Sequence, residues 1–192
     1  MQKLVITDIK DHREYERERD EFRSSVIALK KRRRFGLGEF MTIVFENTAT
    51  MRFQIQEMAR AEKMIRDEQI AHEVATYNDL IPNAGELSAT FFIEINNEEK
   101  LREWLPKLVG IENCVSVWVD DSEVRAEEED SERLTREDIT SAVHYLRFSF
   151  TSAQQAAFAT SAIKIVIDHP QYQASLMLSD EQRSEIASDF SD

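Results

Sequence analysis

The second half of the chain runs twice through one order of elements, strand, helix, strand, strand. That repetition limits the fold more than any other feature. The first copy opens with SATFFIEI from Ser88, continues in a helix from Asn97 to about Val109, and closes on the hairpin CVSVWV, Asp120–Asp121–Ser122, EVRA. The second opens with SAVHYLRFSF from Ser141 and continues in a short helix with Thr151 and Gln154 as its capping box. It closes on the hairpin IKIVID, His169–Pro170–Gln171, YQASLML. Both copies open on Ser-Ala, and few residues agree beyond that. Pro106 should weaken or end the first helix near Leu105, because proline disfavours helix in the residue before it, and this brings the copies closer in length. The alternation of Thr90-Phe91-Phe92-Ile93-Glu94-Ile95 says that one strand face is buried and the other partly so. The expected fold is α+β, an antiparallel sheet of about six to seven strands. Two strand–helix–strand–strand units over residues 85–192 build it, and a mainly helical part with one strand, residues 1–84, packs on it within one compact domain.

The first part reads as helices with one strand between them. MQKLVIT is a short strand or an extended arm. Asp11 with Glu14 resembles a capping box that opens a long helix to about Arg33, with Tyr15, Phe22, Val26 and Leu29 at helical spacing. The run Lys30-Lys31-Arg32-Arg33-Arg34 has two readings, an anion-binding patch or a solvated helix end that complements the macrodipole; the acidic chain favours the second. Gly36 and Gly38 break the helix, and Phe40 to Glu46 is β-branched and aromatic, hence a strand. Asn47 caps a helix carrying Met51, Ile55, Met58 and Ile65, although RFQIQ alternates like a strand, so residues 50–56 stay open between helix and hairpin. A second helix runs from about Asp67 to Leu80 until Pro82 and Gly85 turn the chain. DSEVRAEEEDSERLTRED reads as a solvated loop, with a docking tail for a basic partner as the alternative. Ser179 and Gln182 open a last helix to Phe190.

Charge and cysteine usage remove several functional classes. Of 192 residues, 42% are hydrophobic, enough for a real core. The net charge of −13 opposes phosphate backbones and anionic membranes. Cys114 is the one cysteine, which excludes an internal disulfide and four-cysteine metal sites. No segment approaches the roughly 18 apolar residues of a membrane span. MQKLVITDIKDHREYE lacks a signal peptide's order, so a cytoplasmic location is expected. P-loop, GxGxxG, CxxC, HExxH and GxSxG motifs are absent, so no catalytic residue is assigned.

Two sets of polar residues remain. Glu57 and Glu62 on the first mid-chain helix and Glu68 and His72 on the second would converge if the helices pack as a hairpin. They would then suit a hard or borderline divalent metal, the one cofactor these residues point to; an exposed salt-bridged pair explains them equally. Gln54, Gln56, Glu57 and Arg60, with Tyr77, Asn78, Glu86 and Ser88, form a recognition surface at the helix–strand junction; the alternative is a well-capped turn. His144 lies in a strand that is apolar on both sides and reads as a core histidine rather than a ligand. Asp168-His169-Pro170 is a turn, with an acid–base pair as its functional alternative.

FEN (Phe45 to Asn47), FQIQEMARAE (Phe53 to Glu62), YNDLIP (Tyr77 to Pro82), GELSATFFIEI (Gly85 to Ile95) and DHPQY (Asp168 to Tyr172) resemble a bacterial family known only as domain of unknown function 3501. The likeness spans nearly the whole chain. His144 departs from it, standing where the family tends to have glutamine. The resemblance carries no activity. It implies a redox or oxidative-stress setting, by the family's association with rubrerythrin-like and iron–sulfur proteins. The function expected is therefore an accessory or interaction protein serving such a partner, itself free to form homo-oligomers. The alternative is an enzyme that binds a small molecule or metal through the mid-chain carboxylates and histidine.

Overall fold

A computed structural model of the chain describes residues 1–128 and 138–191. The N-terminal arm is extended apart from one 3-10 turn, Ile6–Asp8, and leads into α1, His12–Arg33. Asp11 caps α1 by accepting hydrogen bonds from the amides of Arg13 and Glu14. The chain then turns back as a hairpin, β1 (Arg34–Leu37) and β2 (Met41–Glu46). Residues 50–56 are helical, inside α2, Thr48–Ala61; Asn47 and Thr50 close a reciprocal cap at its start, which settles the local choice against a hairpin. A turn with Lys63 at positive φ leads to α3, Asp67–Asn78.

The repeated order of elements appears as read. The first copy is β3 (Glu86–Ile93), α4 (Glu98–Lys107), β4 (Val115–Val119) and β5 (Ser122–Arg125). A short strand, β6 (Glu127–Glu128), follows. The second copy is β7 (Val143–Ser149), α5 (Ser152–Phe158), β8 (Ile163–His169) and β9 (Tyr172–Met177), and α6, Asp180–Ala187, comes last. Pro106 lies inside α4, which ends one residue after it at Lys107. It sits one residue from the helix end, so few later residues depend on the disturbed turn.

The fold is α+β and antiparallel throughout, with the strands divided between two sheets, β1-β2-β3-β7-β6 and β5-β4-β8-β9. Each copy gives its first strand to the five-stranded sheet and its hairpin to the four-stranded one. β3 therefore lies beside β7, with Phe91 opposite His144, and β4 beside β8, with Val117 opposite Ile165. A single hydrophobic core fills the space between the sheets, from Phe91, Leu146 and Phe148 on one side to Val117, Ile165 and Ile167 on the other. The five-stranded sheet draws on residues before and after 85, so the two stretches of sequence share one core.

β2 is buried on both faces. Its second face lies under the helices: Lys30 of α1 pairs with Glu46, and Ser88 of β3 donates to the carbonyl of Leu80. A smaller core of Leu4, Met51, Ile55, Val74 and Ile81 binds the arm, α2 and α3 together. No helix among the described residues is long and apolar enough to cross a membrane.

Candidate functional site

The junction between the mid-chain helices and β3 is braced by the side chains that the sequence offers as a recognition surface. Asn78 ends α3 with its amide against the arm: Oδ1 accepts from the Leu4 N–H at 2.8 Å and Nδ2 donates to the Leu4 carbonyl at 2.8 Å. One side chain thus supplies the pair of bonds a neighbouring strand would supply. Gln56 does the same for Lys10, accepting from its N–H at 3.0 Å and donating to its carbonyl at 2.9 Å. Gln54 bonds the Tyr77 hydroxyl, and burial pushes the Tyr77 phenol above its ordinary value. Ser88 donates to Leu80, while Glu86 takes Arg147 and the amide and side chain of Asn83. Gln56 and Arg60 border one cleft, and the remainder of the set does not line it with them.

Glu57 is held by Arg19, whose Nε and Nη2 each lie 2.8 Å from its carboxylate, and by the Tyr15 hydroxyl at 2.6 Å. The Arg19 guanidinium keeps that carboxyl below the usual range in spite of burial. Glu62, Glu68 and His72 are exposed. These four residues do not come together as metal ligands. Among the described residues the ligating side chains that converge are Glu112, Glu128 and His144.

The basic run at the end of α1 faces carboxylates rather than an external anion. Arg32 pairs with Glu185, Arg34 with Glu94 and Lys30 with Glu46. Arg33 is fully buried, donating to the Phe45 carbonyl at 2.9 Å and clasping Asp189 and Glu185. His169 is buried in its turn. Nδ1 accepts from the Gln171 amide at 3.2 Å and Nε2 faces the Val109 carbonyl at 3.2 Å, so one ring nitrogen serves the turn and the other ties it to the segment after α4. Asp168 accepts from Gln173 instead of the imidazole. Cys114 is half-buried, with burial and then Glu112 pushing its thiol up, the opposite of an activated nucleophile.

On the surface, the start of α1 and the turn from α2 to α3 enclose two adjoining clefts of about 400 and 460 Å³ that share His12, Arg60, Met64 and Ile65. Ile6, Ile9 and Ile70 add apolar wall to the first. Ile65 is 86% exposed, the most exposed large hydrophobic side chain among the described residues.

In the interior, β7 alternates, and His144 shares its inward face with Leu146 and Phe148. Its Nδ1 meets Oε1 of Glu128 on β6; its Nε2 lies 3.0 Å from the Ser141 carbonyl and 3.0 Å from Thr140 Oγ1. Glu112 approaches from the 3-10 turn Ile111–Cys114 that follows α4. One ligand atom from each of the three lies within 4.8 Å of the others. His144 is 0% exposed and Glu112 4%, and the Glu128 side chain is 2% exposed. Burial, with Glu112 adding to it, raises the Glu128 carboxyl although His144 opposes the shift.

Sequence reasoning passes over Glu112 and Glu128. Glu128 sits in the acidic stretch read as a solvated loop, where nothing distinguishes it from its neighbours; the structure corrects that for this residue by pairing it with β7. Residues 129–137 of that stretch lie outside the described residues.

The fold so defined is an α+β sandwich of two duplicated units, carrying helices on the outer face of one sheet and a polar group between the sheets. The chain belongs to the family described as protein of unknown function (DUF3501), whose model matches residues 3–190. It is similar to a crystal structure of a novel protein of unknown function from Burkholderia pseudomallei K96243. The two are 34% identical, with a TM-score of 0.91 over 98% of this chain and 99% of that one. No curated protein matches the chain.

Proposed function

We propose that the protein is a cytoplasmic accessory protein that docks on a redox partner through the clefts beside Ile65. The observation that carries this reading is an isoleucine 86% exposed at the rim of an apolar cleft. Exposed apolar surface at a concave site is the form a docking anchor takes. The rim carries Lys10, Arg13, Arg60 and Lys63 against Asp11, Glu16 and Asp67, in a chain whose net charge is −13. A segment with apolar anchors and flanking carboxylates complements such a rim. The redox character of the partner, of the iron–sulfur or rubrerythrin-like kind, rests on the family's association.

A photo-crosslinking residue at position 65, compared with one at exposed Met177 on β9, tests the reading in cells. The expected result is an adduct at 65 alone, whose partner carries iron and is lost with a charge placed at neighbouring Met64. No adduct at 65, equal adducts at both positions, or a partner without a redox centre would overturn it.

A further inference from the structure

The interior group formed by Glu112, Glu128 and His144 has no part in the docking reading and stands independently of it. Its polar atoms are not all matched within the chain. A carbonyl oxygen only accepts, so the Ser141 carbonyl 3.0 Å from His144 Nε2 requires that nitrogen to carry hydrogen. Nδ1 faces Oε1 of Glu128, and that contact is closed by a proton or by a metal ion in its place. Oε2 of Glu112 and Oε2 of Glu128 are both buried and have no hydrogen-bond partner. Two partnerless buried oxygens beside an imidazole nitrogen form the donor set of a bound cation.

We propose that Glu112, Glu128 and His144 bind one divalent transition-metal ion between the two sheets. Imidazole with two carboxylates suits zinc, iron(II) or manganese(II), whose bonds to such atoms are about 2.0–2.2 Å long. Ligand atoms within 4.8 Å of one another reach a common centre with small side-chain rotations. Two carboxylates balance the ion's charge, which matters in a site removed from water. The Nε2–H to backbone carbonyl bond is the outer contact that orients a histidine ligating through Nδ1. The ion joins the turn between α4 and β4 of the first copy, through Glu112, to β6 and to the first strand of the second copy. Its role is therefore to staple the duplicated units, and its burial makes exchange slow.

The test takes the full chain, freed of metal by a chelator and dialysed, and titrates it with zinc chloride. One zinc per chain is expected, at micromolar affinity or tighter, with a rise in melting temperature. Glu112→Gln and His144→Gln should each weaken binding by at least about tenfold. Should either variant fail to fold, imidazole proton–nitrogen correlation spectra of the wild type decide: zinc should shift Nδ1 of His144 while Nε2 keeps its hydrogen. Three results would overturn the proposal: no stoichiometric uptake of zinc, iron(II) or manganese(II); uptake that His144→Gln leaves unchanged; or an Nδ1 signal that zinc does not move.

Discussion

Arg33 and His144 are both fully buried, and each meets carboxylates, yet the two groups follow opposite rules. Around Arg33 every partner is an acceptor facing a donor: the Phe45 carbonyl on Nε, Asp189 and Glu185 on Nη1, Asp189 again on Nη2. Around His144 two buried carboxylate oxygens, Oε2 of Glu112 and Oε2 of Glu128, lack partners. The first group is electrostatically closed by the chain itself. The second leaves acceptors over, which the proposed metal ion would take up. Burial alone therefore does not mark a functional residue; the count of donors against acceptors does.

Removing a carboxylate from each group separates the two. Asp189→Ala leaves a guanidinium buried with part of its donors unmatched and should cost about 3 kcal/mol or more in urea denaturation. Replacing Arg33 and Asp189 together by methionine should recover most of that loss, since no charge is then stranded. Glu112→Gln should act in the other direction. In metal-free protein it supplies a donor to a group that lacks one, and stability should rise by about 1 kcal/mol. A loss of similar size would show that the Glu112 carboxylate is already satisfied.

Glu57 is an intermediate case, paired like Arg33 but only half-buried. Arg19 holds its carboxyl below the ordinary value in the folded state, so its contribution is present above the unfolded value of about 4.3 and is lost as pH falls through the folded one. Urea midpoints between pH 7 and pH 3 should fall more steeply in the wild type than in Glu57→Gln, by about 1 kcal/mol in all. Parallel curves would remove Glu57 from the account. The smallest effect belongs to the surface. Ile65→Asp should change stability by no more than about 0.5 kcal/mol, because the side chain it replaces is already in water. It should nonetheless abolish capture of the partner in a pull-down; a loss of stability without a loss of capture would make Ile65 a packing residue.

The parts of this fold legible in sequence are those set by local chemistry. Thr151 with Gln154 and Ser179 with Gln182 close the caps expected of them. The repeated element order is visible because hairpin turns and alternating strands are short-range patterns. The division of nine described strands into two sheets is not, since it depends on which strands meet across the core. β1 is hidden behind Gly36 and Gly38, which read as breakers; Gly38, at φ +75°, instead makes the hairpin turn. The polar residues of the mid-chain helices stand out in sequence because they crowd together. Asn78 and Gln56 use that polarity to hold the arm's backbone. The interior site draws one residue from each of three separated stretches, two of them acidic positions of no local distinction, and only the sheet brings them to one point.

The Arg33 clasp also bears on how the chain is made. Asp189 follows Arg33 by 156 residues. During synthesis the Arg33 guanidinium therefore emerges long before its carboxylate partner. Until that partner arrives, the end of α1 must stay wet, and the hairpin it leads into cannot seal against it. The end of α1 is thus completed by a residue far along the chain, so its native packing should form late in folding rather than as a local unit.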